Sequence, residues 1–81
     1  MPVVLITGAN RGLGLEFARQ YAGSGWQVLA TCRDPDGAAD LHGLRTTHPS
    51  LEVHPLDVAD FATIDALAAR LAGRPIDVLL N

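Results

Sequence analysis

Apolar runs alternate with stretches of helical period along this chain. Val3-Val4-Leu5-Ile6 is continuously apolar and β-branched at three of its four positions. That pattern suits a strand buried on both faces, as in a parallel sheet. From Leu13 the period lengthens: Leu13, Phe17, Ala18, Tyr21 and Ala22 recur at three- and four-residue spacing, as in a helix packed on a sheet. Gly23-Ser24-Gly25 stops that helix. Trp26 to Cys32 predicts a second strand centred on Val28-Leu29-Ala30.

Asp34-Pro35 then reads as an N-cap followed by proline in the first helical turn. Ala38, Leu41 and Leu44 continue that helix until His48-Pro49 ends it. Leu51 to Leu56 is a third strand, short and partly polar. Asp60 caps a third helix whose apolar face is expected at Phe61, Ile64, Ala68 and Leu71. Gly73-Arg74-Pro75 breaks it, and Ile76 to Leu80 starts a fourth strand. The order β-α-β-α-β-α-β with short connections predicts an α/β fold with parallel strands and right-handed crossovers.

Composition narrows the picture. The chain has 81 residues, which allows one small domain. A hydrophobic fraction of 48% is enough for a core and too high for a disordered chain. The net charge of -3 argues against a nucleic-acid footprint. No run approaches the ~18 apolar residues of a membrane span, and the N-terminus lacks the pattern of a signal peptide. Cys32 is the single cysteine, so no internal disulfide forms, which fits a reducing compartment. A cytoplasmic protein is therefore the expectation. His42, His48 and His54 are six apart across a helix, a loop and a strand, without the helical spacing of a shared metal face, so no metal site is expected. Tyr21 and Trp26 read as core or sheet-flank aromatics, and Cys32 as a small neutral strand residue.

The chemistry lies in Thr7-Gly8-Ala9-Asn10-Arg11-Gly12-Leu13-Gly14, between the first strand and the first helix. Unpaired backbone N–H groups at a helix N-terminus point toward an incoming phosphate. Gly8 permits a sharp turn out of the strand, Gly12 a close approach of backbone to a pyrophosphate, and Gly14 close packing of helix on sheet. The glycine spacing is Gly-x-x-x-Gly-x-Gly, distinct from the Gly-x-Gly-x-x-Gly dinucleotide fingerprint.

This segment resembles the hallmark of the short-chain dehydrogenase/reductase family, Thr-Gly-x-x-x-Gly-x-Gly, matched without a gap by Thr7, Gly8, Gly12 and Gly14. Leu56-Asp57-Val58 follows the third strand, where the family's aspartate receives the adenine amino group. Asp77-Val78-Leu79-Leu80-Asn81 resembles the approach to the family's Asn-Asn-Ala-Gly motif, through its first asparagine. The resemblance covers all 81 residues. Asn10-Arg11 and the Thr31-to-Pro35 stretch look most like carbonyl-reductase members of the sniffer and C-factor type. The resemblance implies a Rossmann-type doubly wound parallel sheet of strand order 3-2-1-4. It also implies a nicotinamide cofactor held by Thr7, Gly8, Asn10, Arg11, Gly12, Leu13, Gly14, Arg33, Asp57, Val58 and Asn81.

In an NAD-preferring site an acidic side chain at the end of the second strand accepts from the ribose 2′-hydroxyl. By family alignment that position is Cys32, which is uncharged, and Arg33 follows it. Two guanidinium groups, Arg11 and Arg33, could converge on a 2′-phosphate, so NADP is favoured. Asp34 is one position further on and keeps NAD as the alternative.

The resemblance implies carbonyl reduction or alcohol oxidation by hydride transfer. The family's catalytic tyrosine and lysine belong to a later Tyr-x-x-x-Lys helix, and Tyr21 is not that tyrosine. This chain has no lysine, so no catalytic position is carried over. Residues 1–81 are thus expected to be the N-terminal part of one dinucleotide-binding domain, inactive alone and a homo-oligomer when complete. The alternatives are a non-catalytic nucleotide-binding fragment, or a piece completed by a partner or by self-association.

Overall fold

The computed structural model describes residues 1–81. Four strands, β1 (Val3–Ile6), β2 (Gln27–Cys32), β3 (Glu52–Pro55) and β4 (Val78–Leu80), form one sheet of order β3-β2-β1-β4. Every pairing is parallel. Three helices connect them: α1 (Gly12–Gly23), α2 (Ala39–Thr47) and α3 (Phe61–Arg70). The first strand is central because its run of apolar side chains can be covered on both faces. Its register sets Val4 beside Val28 on one side and beside Val78 on the other. Asp77 ties the start of this pairing: its carboxylate Oδ2 accepts from the Val3 N–H at 2.7 Å, and its own N–H donates to the Val3 carbonyl at 2.9 Å.

The two faces of the sheet are unequally covered. Eleven buried residues form the core under α1 and α2, among them Val4, Ile6, Ala18, Val28, Leu41 and Leu51. Only Leu29, Leu67 and Leu71 are buried on the α3 face, with Val3, Leu5 and Leu56 half-buried against them. Full burial of each large side chain contributes about 1.5–3 kcal/mol, so most of the apolar stabilisation lies on the α1/α2 side. Tyr21 and Trp26 close one margin of that core with ring centroids 4.8 Å apart and planes at 79°. This edge-to-face arrangement suits the opposite charges of a ring's face and rim.

Several sequence expectations change. The buried positions of α3 and its C-cap are Leu67 and Leu71, with Ile64 half-buried. Phe61 is 77% exposed and Ala68 is exposed, whereas Leu67 is 6% exposed. Both stripes obey three- and four-residue spacing, and the position of the sheet selects the one anchored on Leu67. Leu13 is 70% exposed at the mouth of α1, so Ala18 and Ala22, with the half-buried Phe17 and Tyr21, carry that helix's packing. Asp34 caps a separate 3-10 turn, Pro35–Gly37, and its side chain accepts from the Gly37 N–H at 3.3 Å. The α-helix begins only at Ala39, since Ala38 has non-helical dihedrals. Asp60 does cap α3, accepting from the Ala62 N–H at 3.1 Å. On β4, Val78 and Leu80 turn toward the α1/α2 core, and Leu79 is the exposed residue at 59%.

Candidate cofactor site

The carboxyl ends of β1, β2 and β3 open onto one hollow of about 570 Å³. In open parallel sheets this end is where ligands bind, beside the point at which strand order reverses. Thr7, Gly8, Asn10 and Arg11 approach from the loop after β1. Thr31, Cys32, Arg33 and Asp34 come from the end of β2, and Leu56, Asp57, Val58 and Ala59 from the loop after β3. A second hollow of about 350 Å³ lies across the β1/β4 junction and shares Thr7, Gly8 and Arg11 with the first. Gly12, Leu13, Gly14 and Asn81 line it. Each of the eleven residues implied by the family resemblance therefore lines one hollow or the other.

The loop is held from behind by backbone. The Ala9 N–H donates to the Thr31 carbonyl at 2.9 Å, and the Thr7 N–H to the Leu80 carbonyl at 2.9 Å. Thr31, fully buried, donates its hydroxyl to the Ile6 carbonyl at 3.0 Å, joining the ends of β1 and β2. Thr7 Oγ1 donates to Asn81 Oδ1 at 3.0 Å, which fixes the amide of Asn81 at the β4 end.

The glycine positions follow from this geometry. Gly8 and Gly12 both have φ of 60°, in the left-handed region that disfavours side chains. No atom lies within 4 Å of where a Gly12 Cβ would sit, so the backbone faces open space there. Gly14 is different: a Cβ there would press on the Gly8 carbonyl, 3.0 Å from its carbon, and on Ala9 Cα at 3.2 Å. The first turn of α1 thus lies directly against the loop. Arg11 occupies its N-cap without a side-chain cap, and its first turn has no acidic residue. The unpaired N–H groups of α1 are consequently available to an anion. Open backbone at Gly12, an uncapped helix start and two arginines at the rim are a donor set that fits a dinucleotide phosphate.

Arg11 and Arg33 are exposed and line the same hollow. Cys32 between them and the core is buried. Burial pushes its thiol above the ordinary value, against a downward pull from the Asp34 backbone N–H. It is a protonated, uncharged lining residue rather than a reactive thiolate. Asp34 also lines the hollow, with one carboxylate oxygen committed to the Gly37 N–H. Asp57 accepts from the Ala59 N–H through Oδ1 at 2.9 Å, which curls the loop after β3 around the hollow. Ala59 was not implied by the sequence pattern, and only its place next to the Leu56-Asp57-Val58 triplet could have suggested it.

The profile of the short chain dehydrogenase family matches residues 2–81, and the chain belongs to this family. It is 38% identical to (+)-neomenthol dehydrogenase of Arabidopsis thaliana over 86 residues, covering 95% of this chain and 28% of that protein. Among solved structures it superposes on a carbonyl reductase from Pseudomonas aeruginosa PAO1 in complex with NADP, with a TM-score of 0.91 and 34% identity. That match covers 98% of this chain and 36% of the reductase chain. A short-chain dehydrogenase from Sphingobium yanoikuyae in complex with NADPH gives a TM-score of 0.81 at 30% identity, over 98% of this chain and 32% of that one. The chain therefore spans about a third or less of the length of these relatives. The fold they share is of Rossmann type, with strand order 3-2-1-4 in this chain. No helix is long and apolar enough to cross a membrane.

Proposed function

We propose that residues 1–81 are the N-terminal, cofactor-binding part of a single dinucleotide-binding domain in a cytoplasmic, NADP(H)-dependent short-chain oxidoreductase. The observation that carries this reading is the convergence of Arg11 and Arg33 on one hollow, at a β2 end occupied by the uncharged Cys32. A 2′-phosphate suits two guanidinium groups, which offer forked, charge-assisted hydrogen bonds. The NADP and NADPH bound to the two related structures support the same preference.

When bound, a nicotinamide cofactor supplies hydride transfer, which in the whole protein would serve carbonyl reduction or alcohol oxidation. The residues present hold rather than react. The backbone N–H groups from Gly12 to Gly14 would hold the pyrophosphate, and Arg11 and Arg33 would hold the phosphorylated adenosine ribose. Asp57 and Val58 would hold the adenine, and Asn81, fixed by Thr7, would hold the nicotinamide half. The residues named here would act in binding the cofactor.

Asp34 on the same hollow sustains the second reading, an NAD site in which its carboxylate accepts from a ribose hydroxyl. Fluorescence titration of the two cofactors separates them. NADP should bind at least tenfold more tightly than NAD, and Arg33→Ala should remove that margin while leaving NAD affinity unchanged. Equal affinities in the unaltered chain would overturn the NADP reading.

A further inference from the structure

Thr63 lines neither hollow, yet two of its hydroxyl's three hydrogen-bond contacts end on Asp57 in the segment that walls the larger one, and the third on the adjoining Asp60. It sits in the first turn of α3, half-buried behind the loop Leu56–Ala59. Its Oγ1 accepts from the Asp57 backbone N–H at 2.8 Å. The same hydroxyl lies 3.0 Å from the Asp57 carbonyl and 2.8 Å from the Asp60 carbonyl, and its single hydrogen is given to one of these or divided between them. Both backbone polar groups of Asp57 thus meet one side chain. Asp57 then uses its carboxylate to fix Ala59. The chain of contacts runs from α3, through Thr63, to the backbone of Asp57, and from the Asp57 side chain to the far end of the loop.

We propose that Thr63 is a positioning residue for nucleotide binding: its hydroxyl presets the Leu56–Ala59 wall against which the adenosine half of the cofactor packs. This rests on the cofactor reading above. The physical argument is one of preorganisation. Beyond Thr63, the backbone of the loop after β3 is held by the Leu56 N–H, which donates to the Cys32 carbonyl at 2.8 Å, and by one turn bond from the Asp60 N–H to the Asp57 carbonyl at 2.9 Å, so the Asp57 N–H depends on Thr63. Val58 and Ala59 are exposed and bring little packing of their own. Without the Thr63 hydroxyl, the Asp57 N–H loses its protein partner and the loop samples other conformers. The ligand must then bear the cost of ordering it, and the apparent affinity falls by the fraction of chains with the wall in place. An isosteric Thr63→Val keeps the shape of the side chain and deletes the donor and acceptor.

The test uses adenosine 2′,5′-bisphosphate, the adenosine half of NADP, in calorimetric titrations, together with amide hydrogen exchange of the free chain. Thr63→Val should bind the bisphosphate about tenfold more weakly, the equivalent of one lost hydrogen bond. Its Asp57 and Ala59 amides should exchange faster. Thr63→Ser, which retains the hydroxyl, should restore both readouts. Asp60→Ala removes the α3 cap without touching the Asp57 amide. It should lower the melting temperature and leave affinity within twofold, separating positioning from stability. Where the valine chain does not fold, Thr63→Ala carries the same expectation. Unchanged affinity in Thr63→Val, or equal losses in the valine and serine chains, would overturn the role of the hydroxyl while the unaltered chain still binds. Failure of the unaltered chain to bind the bisphosphate would overturn the cofactor reading, and this inference with it.

Discussion

Replacing Gly14 with alanine tests whether α1 truly abuts the glycine loop. A Cβ at this position would overlap the Gly8 carbonyl, standing 3.0 Å from its carbon and 3.2 Å from Ala9 Cα. All of these are backbone atoms, so no side chain can swing aside. Relief requires α1 to retreat or the loop to open, and Ala9 in that loop is fully buried and bonded to Thr31. Overpacking of this kind costs about 1–3 kcal/mol. With only backbone able to yield, the cost lies in the upper half of that range, about 2–3 kcal/mol; alanine recovers about 0.5–1 kcal/mol through its better helix propensity, leaving a net loss of about 1–2.5 kcal/mol. For a domain of this size each kilocalorie shifts the melting temperature by about 4–8 °C. Circular dichroism should therefore show Gly14→Ala melting roughly 10 °C below the unaltered chain. Gly12→Ala is the useful contrast: its Cβ meets nothing, and any loss there comes from the φ of 60° alone. A Gly14→Ala chain that melts within 2 °C of the original would show that the helix start does not press on the loop.

Gly43 lies inside α2 with nothing near its absent Cβ and no positive φ, so Gly43→Ala should raise stability by about 0.5–1 kcal/mol in thermal melts. Glu52 on β3 receives a fork from Arg74, at 3.1 and 2.9 Å, and a further contact from His54 at 2.8 Å. These contacts, the Arg74 hydrogen bond first, hold its carboxyl below the ordinary value of 4.5. A depressed folded value means that the pair's stabilisation is present above the unfolded pKa and is lost as pH falls through the folded one. The pair is half-exposed, so its worth after screening is about 0.5 kcal/mol. Urea midpoints of Arg74→Ala and the unaltered chain should differ at pH 7 and converge below pH ~4.5; a constant gap would refute the assignment. Asp77→Ala removes the carboxylate that receives the Val3 N–H and should cost about 1 kcal/mol in the same urea assay.

The order of elements and the place of the glycine loop were legible in the sequence because each rests on local pattern. Four apolar runs, a period change at the loop and glycines at loop ends are read without knowing what lies across the fold. The stripe of α3 was not: Phe61 and Leu67 fit the same helical spacing, and only the position of Leu29 on the sheet decides between them. The cap at Asp34 was legible, but the break at Ala38 that turns one helix into two pieces has no local signature. The Arg74–Glu52 fork joins residues 22 apart across a helix and a loop, and Thr63 acts on a residue six before it through a hydroxyl that reads as an ordinary helix residue. Such contacts arise from the assembled fold, not from composition or period.

The middle position of β1 has a consequence for how the chain comes together. β1 pairs on one side with β2 and on the other with a strand whose anchor, Asp77, lies 74 residues from Val3. During synthesis β1 can gain its near neighbour early, but its far flank stays open until nearly the whole segment has been made. Closing so long a loop slows folding and leaves a bare hydrogen-bonding edge during the wait. Translation pauses near the β4 codons, or a chaperone that shields β1, should therefore influence the yield of this chain more than similar events at β2 or β3.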